Sequence, residues 1–202
     1  MQAGFLPLFA AVIAVGIGAL GQATKDFRLV TSEQARRLAV AEAPRPVPDI
    51  TLVDQNGTPF ALADYRGTPV LVDFIYTSCP SLCTVLGDDF RRIAESIRIS
   101  PNADRLSLLS ISFDVERDGL PELKLYGERY GAEAPAWRIA VPSRTEIAPL
   151  LQAFGVVVIR DGYGGFIHND ALYLIDRAGR LVRIMDPDAS PQRIEQALKA
   201  VS

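Results

Sequence analysis

The strongest constraint on the fold lies in residues 69–113. Pro69-Val70-Leu71-Val72-Asp73-Phe74-Ile75 is a near-continuous apolar run, the pattern of a strand buried on both faces of a sheet rather than on one. Leu82, Val85, Leu86, Phe90, Ile93 and Ile97 then recur at helical spacing and stop before Pro101, and 106–113 reads as a second buried strand. On the amino-terminal side, 50–53 and 59–61 flank Asp54-Gln55-Asn56-Gly57, a hairpin turn signal. Downstream, 121–130 predicts a helix closing on Gly131, 137–141 a short strand, 146–154 a helix closing on Gly155, and 156–159 a β-branched strand. Asp161-Gly162-Tyr163-Gly164-Gly165 predicts a flexible loop before Phe166-Ile167-His168. A hairpin of 171–176 and 180–185 around Arg177-Ala178-Gly179 follows, then a helix from a Ser190 cap to Val201. Strands alternating with helices and closed by a hairpin and helix predict an α/β sandwich around a mixed sheet, with the globular domain at 49–202.

The amino-terminal segment is of another kind. Residues 3–21 carry no charge and no strongly polar side chain; at about 1.5 Å per residue they would span roughly 28 Å, close to the roughly 30 Å of a bilayer's hydrocarbon core. Gly16-Ile17-Gly18-Ala19-Leu20-Gly21 is a literal GxGxxG, with Glu42 about 20 residues on. A lone fingerprint within a charge-free stretch of membrane thickness is outweighed, and 1–23 is read as a transmembrane anchor or uncleaved signal. Gly21-Gln22-Ala23 offers small residues for cleavage, but the apolar run is long for a signal peptide. Arg36-Arg37 follows the apolar run and so is not a twin-arginine signal. Residues 24–48 read as a linker, with a short helix at 32–41 and an extended spacer at Pro44, Pro46 and Pro48.

Composition excludes much of the remaining chemistry. The formal net charge is −3 with no Lys/Arg cluster, so there is no electrostatic footprint for nucleic acid. With two cysteines, one histidine and two methionines, zinc fingers, c-type haem attachment and cysteine-ligated iron–sulfur clusters are out. No P-loop motif occurs.

Attention therefore falls on Cys79, Cys83 and His168. Cys79-Pro80-Ser81-Leu82-Cys83 sits where the buried strand ends and a helix begins, and open α/β sheets place ligands beyond the carboxyl ends of their strands. A helix amino terminus favours the thiolate that binds metal or attacks disulfides, and spacing of four residues sets both sulfurs on one helical face. Such a pair clamps a soft ion, closes as a redox disulfide, or serves as a structural bridge of small stabilising value. His168 follows the Gly-rich loop and immediately precedes 171–176, where a neighbouring sheet edge could bring it to the cysteines. Two thiolates and one imidazole suit Cu(I), are usable by Cu(II), and cannot close a four-coordinate structural zinc site unaided.

The stretches from Val72 through Cys79-Pro80-Ser81-Leu82-Cys83, Ser110-Ile111-Ser112-Phe113-Asp114-Val115-Glu116-Arg117-Asp118, Leu123-Lys124-Leu125-Tyr126, Trp137, and His168-Asn169-Asp170 before Leu172-Tyr173-Leu174-Ile175-Asp176 strongly resemble the Sco/SenC family in order and spacing. The resemblance implies a thioredoxin-like three-layer sandwich tethered by one amino-terminal helix. It implies copper held by Cys79, Cys83 and His168, with Cys79 and Cys83 also forming a redox-active disulfide. It further implies a metallochaperone that assists assembly of the dinuclear copper centre of cytochrome c oxidase, delivering copper to the copper-bearing subunit or another acceptor, or reducing that site's cysteines. Thr84, Val115, Gly119 and Asn169 depart from the family's common pattern, and none of them replaces a ligand.

A second function uses the same cysteines as a thiol–disulfide oxidoreductase without obligatory copper. Against it stand the CxxxC spacing and the lack of a proline immediately before 171–176, where thioredoxins place one. The rim residues Asp114, Glu116, Arg117 and Asp118, and Tyr163 in the Gly-rich loop, are candidates for docking or gating, or for an ordinary solvated loop. Thiol chemistry favours a compartment outside the cytoplasm, so the expected location is the bacterial inner membrane, single-pass, with the domain in the periplasm. Lys25 as the first basic residue would, by charge count alone, orient the chain the other way.

Overall fold

The computed structural model describes residues 5–23, 31–79, 82–98 and 106–200, with side chains inside the helices at 5–23 and 82–98 described at 9, 12–19, 22 and 87–96. Helix α1 (Phe5–Ala23) is followed by α2 (Ser32–Glu42), β1 (Arg45–Pro46), β2 (Thr51–Asp54) and β3 (Pro59–Ala61). A single 3-10 turn leads to β4 (Val70–Ile75), α3 (Leu82–Arg98), β5 (Ser107–Ser112), α4 (Leu120–Tyr130), β6 (Trp137–Pro142) and α5 (Ile147–Phe154). The chain ends with β7 (Val158–Arg160), β8 (Phe166–His168), β9 (Leu172–Ile175), β10 (Arg180–Met185) and α6 (Pro191–Lys199).

Eight of these strands form one mixed sheet in the order β1-β10-β9-β4-β5-β6-β2-β3. Its centre is parallel: Val70 pairs with Ser107 through to Ile75 with Ser112, and Leu108 pairs with Trp137. The flanks, β9 against β4 and β2 against β6, are antiparallel. Every residue of β4 is buried, as its unbroken apolar run requires of a strand covered on both faces. Val72 and Phe74 pack with Leu109, Tyr173, Leu150 and Phe154 on one side; Leu71 and Ile75 pack with Phe90, Ile93, Leu123, Tyr126 and Ile194 on the other. Helices α3, α4 and α6 thus cover one face, and α5 with Val40 of α2 contributes to the other. This is the expected α/β sandwich around a mixed sheet.

Two features differ from the sequence reading. Residues 31–46, expected to act as a free spacer, lie on the domain. Thr31 caps α2 in a reciprocal capping box with Gln34, Val40 is 2 % exposed, and β1 pairs with Leu181 and Arg180 of β10. The alternating prolines do keep this stretch extended, but an edge strand binds it. Second, the strand expected at 156–159 does not join the main sheet, and 166–168, not read as a strand, forms one: β7 and β8 pair with each other as a separate two-stranded ribbon, Val158 opposite His168. Helix α1 is 19 residues long, and Phe9, Val12, Ile13, Val15 and Ile17 along it are exposed. Among the described residues, no helix is long and apolar enough to cross a membrane.

Close approach of α3 to α4 depends on Gly87, where a Cβ would fall 2.5 Å from Cζ of Tyr130. Gly87→Ala should therefore destabilise the fold by about 1–3 kcal/mol in denaturant titrations, despite alanine's better helix propensity. An unchanged midpoint would show that Tyr130 swings aside freely.

The buried strand β4 also carries one acid. Asp73 is 3 % exposed, and among the described residues neither of its carboxyl oxygens has a hydrogen-bond partner. Burial pushes this carboxyl up to about 7, opposed by the Ser110 hydroxyl, which is near but lacks hydrogen-bond geometry, and reinforced by the like charge of Asp170. The fold favours the protonated form. Its stabilising contribution is fully present below the ordinary value of 3.8 and is lost as pH rises through about 7, a change on the order of 4 kcal/mol. Asp73→Asn should flatten that fall, which denaturation at a series of pH values from about 4 to about 8 will show; parallel profiles for the two proteins would contradict it.

Candidate metal centre

At the carboxyl end of β4 the chain runs through Tyr76, Thr77 and Ser78 to Cys79. This loop is held by a buried acid from the next strand's exit. Asp118, 3 % exposed, accepts from the Thr77 backbone N–H at 2.8 Å, from the Thr77 hydroxyl at 2.6 Å and from the Ser112 hydroxyl at 2.5 Å. The Cys79 N–H donates to the Tyr76 carbonyl at 3.3 Å, and the half-buried Cys79 side chain packs against the core cluster that contains Phe74 and Phe113. Cys83 is the second residue of α3; its side chain lies outside the described residues, as do Pro80 and Ser81.

His168 arrives from across the sheet's rim on the β7–β8 ribbon. Its ring packs against Phe113 at 4.9 Å and Tyr76 at 6.3 Å between centroids, in a group that also includes Phe166. The side chain is 5 % exposed, and Nδ1 lies 2.9 Å from Asp170 Oδ1, at ion-pair distance but without the geometry of a hydrogen bond. A carboxylate beside one ring nitrogen is the usual way a ligating histidine is oriented, leaving the other nitrogen for the metal. Cys79 and His168 line one cavity of about 410 Å³, together with Tyr76, Ser78, Phe166 and Asp170. The structure therefore brings two of the three predicted site residues to one cleft. Among the described residues, no three Cys, His, Asp or Glu side chains converge as a metal cluster; the Cys83 side chain falls outside that set.

The rim residues are engaged within the loops, with Asp114 and Asp118 buried and Glu116 and Arg117 exposed. Asp114 pairs with Arg117, and Arg117 donates to the Gly164 carbonyl at 2.6 Å while its guanidinium sits 5.2 Å from the Phe166 ring centroid. Glu116 pairs with Arg160 and Arg144. The Gly-rich loop is more closely tied than its glycine content suggests, because Asp161 Oδ1 accepts from the N–H groups of Tyr163 and Gly165. Tyr163 itself is 97 % exposed at the tip. Sequence reasoning did not single out Asp170 or the aromatic packing of Tyr76, Phe113 and Phe166. The His168-Asn169-Asp170 run held a signal for the first, a carboxylate two residues from a candidate ligand; of the aromatics, only Phe113 fell in a predicted strand, and nothing local joined the three.

The fold and this cleft define a thioredoxin-like α/β protein whose cysteine loop, at a strand's carboxyl end, faces a histidine delivered by a separate ribbon. A family model described as SCO1/SenC matches residues 39–202, and the chain belongs to that family. It is 26 % identical over 199 residues to the mitochondrial protein SCO2 homolog of Mus musculus, covering 95 % of this chain and 76 % of the relative. It is 26 % identical over 140 residues to the SCO1 protein homolog of Bacillus subtilis, covering 68 % and 72 %. Among solved structures, Bradyrhizobium japonicum ScoI with copper bound superposes with a TM-score of 0.65 at 26 % identity, covering 78 % of this chain and 99 % of that one. A SCO1/SenC family lipoprotein from Bacillus anthracis gives 0.71 at 20 % identity, covering 78 % and 96 %, and speaks for the fold.

Proposed function

We propose that this protein is a membrane-tethered copper-binding factor that assists assembly of the dinuclear copper centre of cytochrome c oxidase, with Cys79, Cys83 and His168 holding the ion. The observation that carries the reading is the shared cavity of Cys79 and His168, in which the Asp170 carboxylate backs the imidazole. The donor set fits the ion: two thiolates and a neutral imidazole are soft enough for Cu(I) and acceptable to Cu(II). Cys83, second in α3 and four residues after Cys79, supplies the second thiolate. The copper-bound Bradyrhizobium relative, 26 % identical, supports copper as the ion, and family membership supports the oxidase's copper-bearing subunit or a similar acceptor as its destination.

Copper is cargo in this reading, and the chain's residues act by holding and releasing it. Asp118 fixes the cysteine loop to β5, so Cys79 stays with the rigid sheet. His168 stands on a ribbon outside the main sheet, and it is the ligand whose departure would open the site to an acceptor's thiols. Copper loading requires the cysteine pair reduced, so reduction of an acceptor's disulfide by the same pair is compatible chemistry.

We further propose that α1 anchors the chain as a single pass in a bacterial inner membrane, with the domain in the periplasm. The uncharged sequence of 3–21 and the exposed apolar side chains along α1 support this placement. A carboxyl-terminal reporter active only in the cytoplasm should stay silent; an active one would reverse the orientation.

The copper reading is tested by competing a Cu(I) chelator against the reduced, detergent-solubilised chain. One ion per chain is expected, lost with Cys79→Ser or Cys83→Ser and weakened at least about tenfold by His168→Ala. Weak binding indifferent to His168, with the cysteines still cycling readily, would make the protein a thiol–disulfide oxidoreductase instead.

A further inference from the structure

Helix α2 has no continuous apolar face to explain why it lies on the domain. At helical spacing it presents Glu33, Arg36, Arg37 and Val40, and its attachment is largely polar. Glu33 takes the fork of Arg36, Nε at 2.8 Å and Nη2 at 2.7 Å, and so aims the remaining guanidinium nitrogen. That nitrogen, Nη1, donates to the carbonyls of Phe154 at 2.9 Å and Gly155 at 3.1 Å and lies 3.3 Å from the Tyr173 hydroxyl. Carbonyls at a helix carboxyl terminus lack intrahelical partners and carry the negative end of the dipole, so a guanidinium there satisfies both needs. The Arg36 side chain is 16 % exposed, and this burial goes with a fully directed set of contacts.

The Gly155 carbonyl has a second donor. Asn169 Nδ2 reaches it at 3.0 Å, while Asn169 Oδ1 accepts from the Val157 N–H at 2.7 Å. Asn169 thereby closes the end of the ribbon at which β7 enters and β8 leaves, one residue from His168 and beside the Val158–His168 pair. Gly155 is itself suited to the junction: its φ is +68°, and a Cβ there would meet Arg36 Cδ at 3.0 Å.

We propose that Arg36 is a positioning residue for the metal site: from the segment between anchor and domain it fixes the Gly155 carbonyl on which Asn169, and with it His168, is held. The inference rests on the copper reading above. In it, α2 is part of the site's scaffold rather than a spacer, and detaching α2 loosens the ribbon's hold on the imidazole, which keeps its packing on Phe113 and Tyr76, while leaving the cysteine loop, held separately by Asp118, in place.

The test uses the full chain in detergent with Arg36→Met and Asn169→Ala, which break the same relay from its two ends, and Arg37→Met as the control. Arg37 sits on the same helix and pairs with Glu33 and Asp186 instead. Each relay variant should lower Cu(I) affinity about tenfold, the lower end for residues that orient a ligating histidine, and Arg37→Met should not. In the Cu(II)-loaded protein the relay variants should weaken the imidazole nitrogen hyperfine coupling toward the His168→Ala spectrum. Added to His168→Ala, Arg36→Met should cost no further affinity, since residues acting through one group are not additive. Equal losses on both backgrounds, or a wild-type spectrum and affinity for both relay variants, would overturn the role of Arg36 alone. Copper binding indifferent to His168→Ala would remove the copper reading and this inference together.

Discussion

Burial of β4 on both faces decides where the chemistry can be. Six consecutive residues, Val70–Ile75, are buried, the acid Asp73 among them, so a reactive group that a ligand can reach appears only where the strand leaves the sheet. It leaves at its carboxyl end, beside the parallel neighbour β5, and the two exits are bound to each other through Asp118. Cys79 is therefore mounted at the exit of the central strand, on a loop that Asp118 ties to β5, and Cys83 lies in the first turn of α3.

The imidazole is mounted differently. The β7–β8 ribbon stands apart from the main sheet, and what fixes it is a set of individual contacts: aromatic packing by Tyr76, Phe113 and Phe166, the Arg117 bridge to Gly164, and Asn169 on Gly155. A rigid thiol platform opposed by a separately supported imidazole is suited to an ion that must be bound and then surrendered. The Asp170 carboxylate beside Nδ1 and Arg36 Nη1 on the Gly155 carbonyl add to the contacts around the imidazole and its ribbon.

The central fold was legible because its signals are local. The run at 69–75, the helical spacing from Leu82 to Ile97, and Gly131 and Gly155, both with positive φ as helix caps, each report on a neighbourhood a few residues long. So did the site's composition, since a chain with two cysteines and one histidine leaves few choices. The departures come from contacts that join distant segments. The strand read at 156–159 forms at Val158–Arg160 and pairs with Phe166–His168, which the sequence did not mark as a strand, and no local pattern reports which partner a strand will take. Helix α2 reads as a solvated tether because Glu33, Arg36 and Arg37 occupy its inward face. Its docking depends on carbonyls at Phe154 and Gly155, more than a hundred residues away in the chain. Asp170 was in plain view but acquires meaning only when the ring of His168 is seen turned toward it.

Every role proposed for the cleft depends on which atoms hold the ion. X-ray absorption at the copper edge of the Cu(I)-loaded, reduced full chain counts the atoms around the ion directly. The prediction is the chain's two cysteine sulfurs and its single histidine nitrogen around one copper, with the nitrogen's ring scattering absent in His168→Ala. A shell of sulfur alone in the unmodified protein, or one dominated by light atoms, would contradict it.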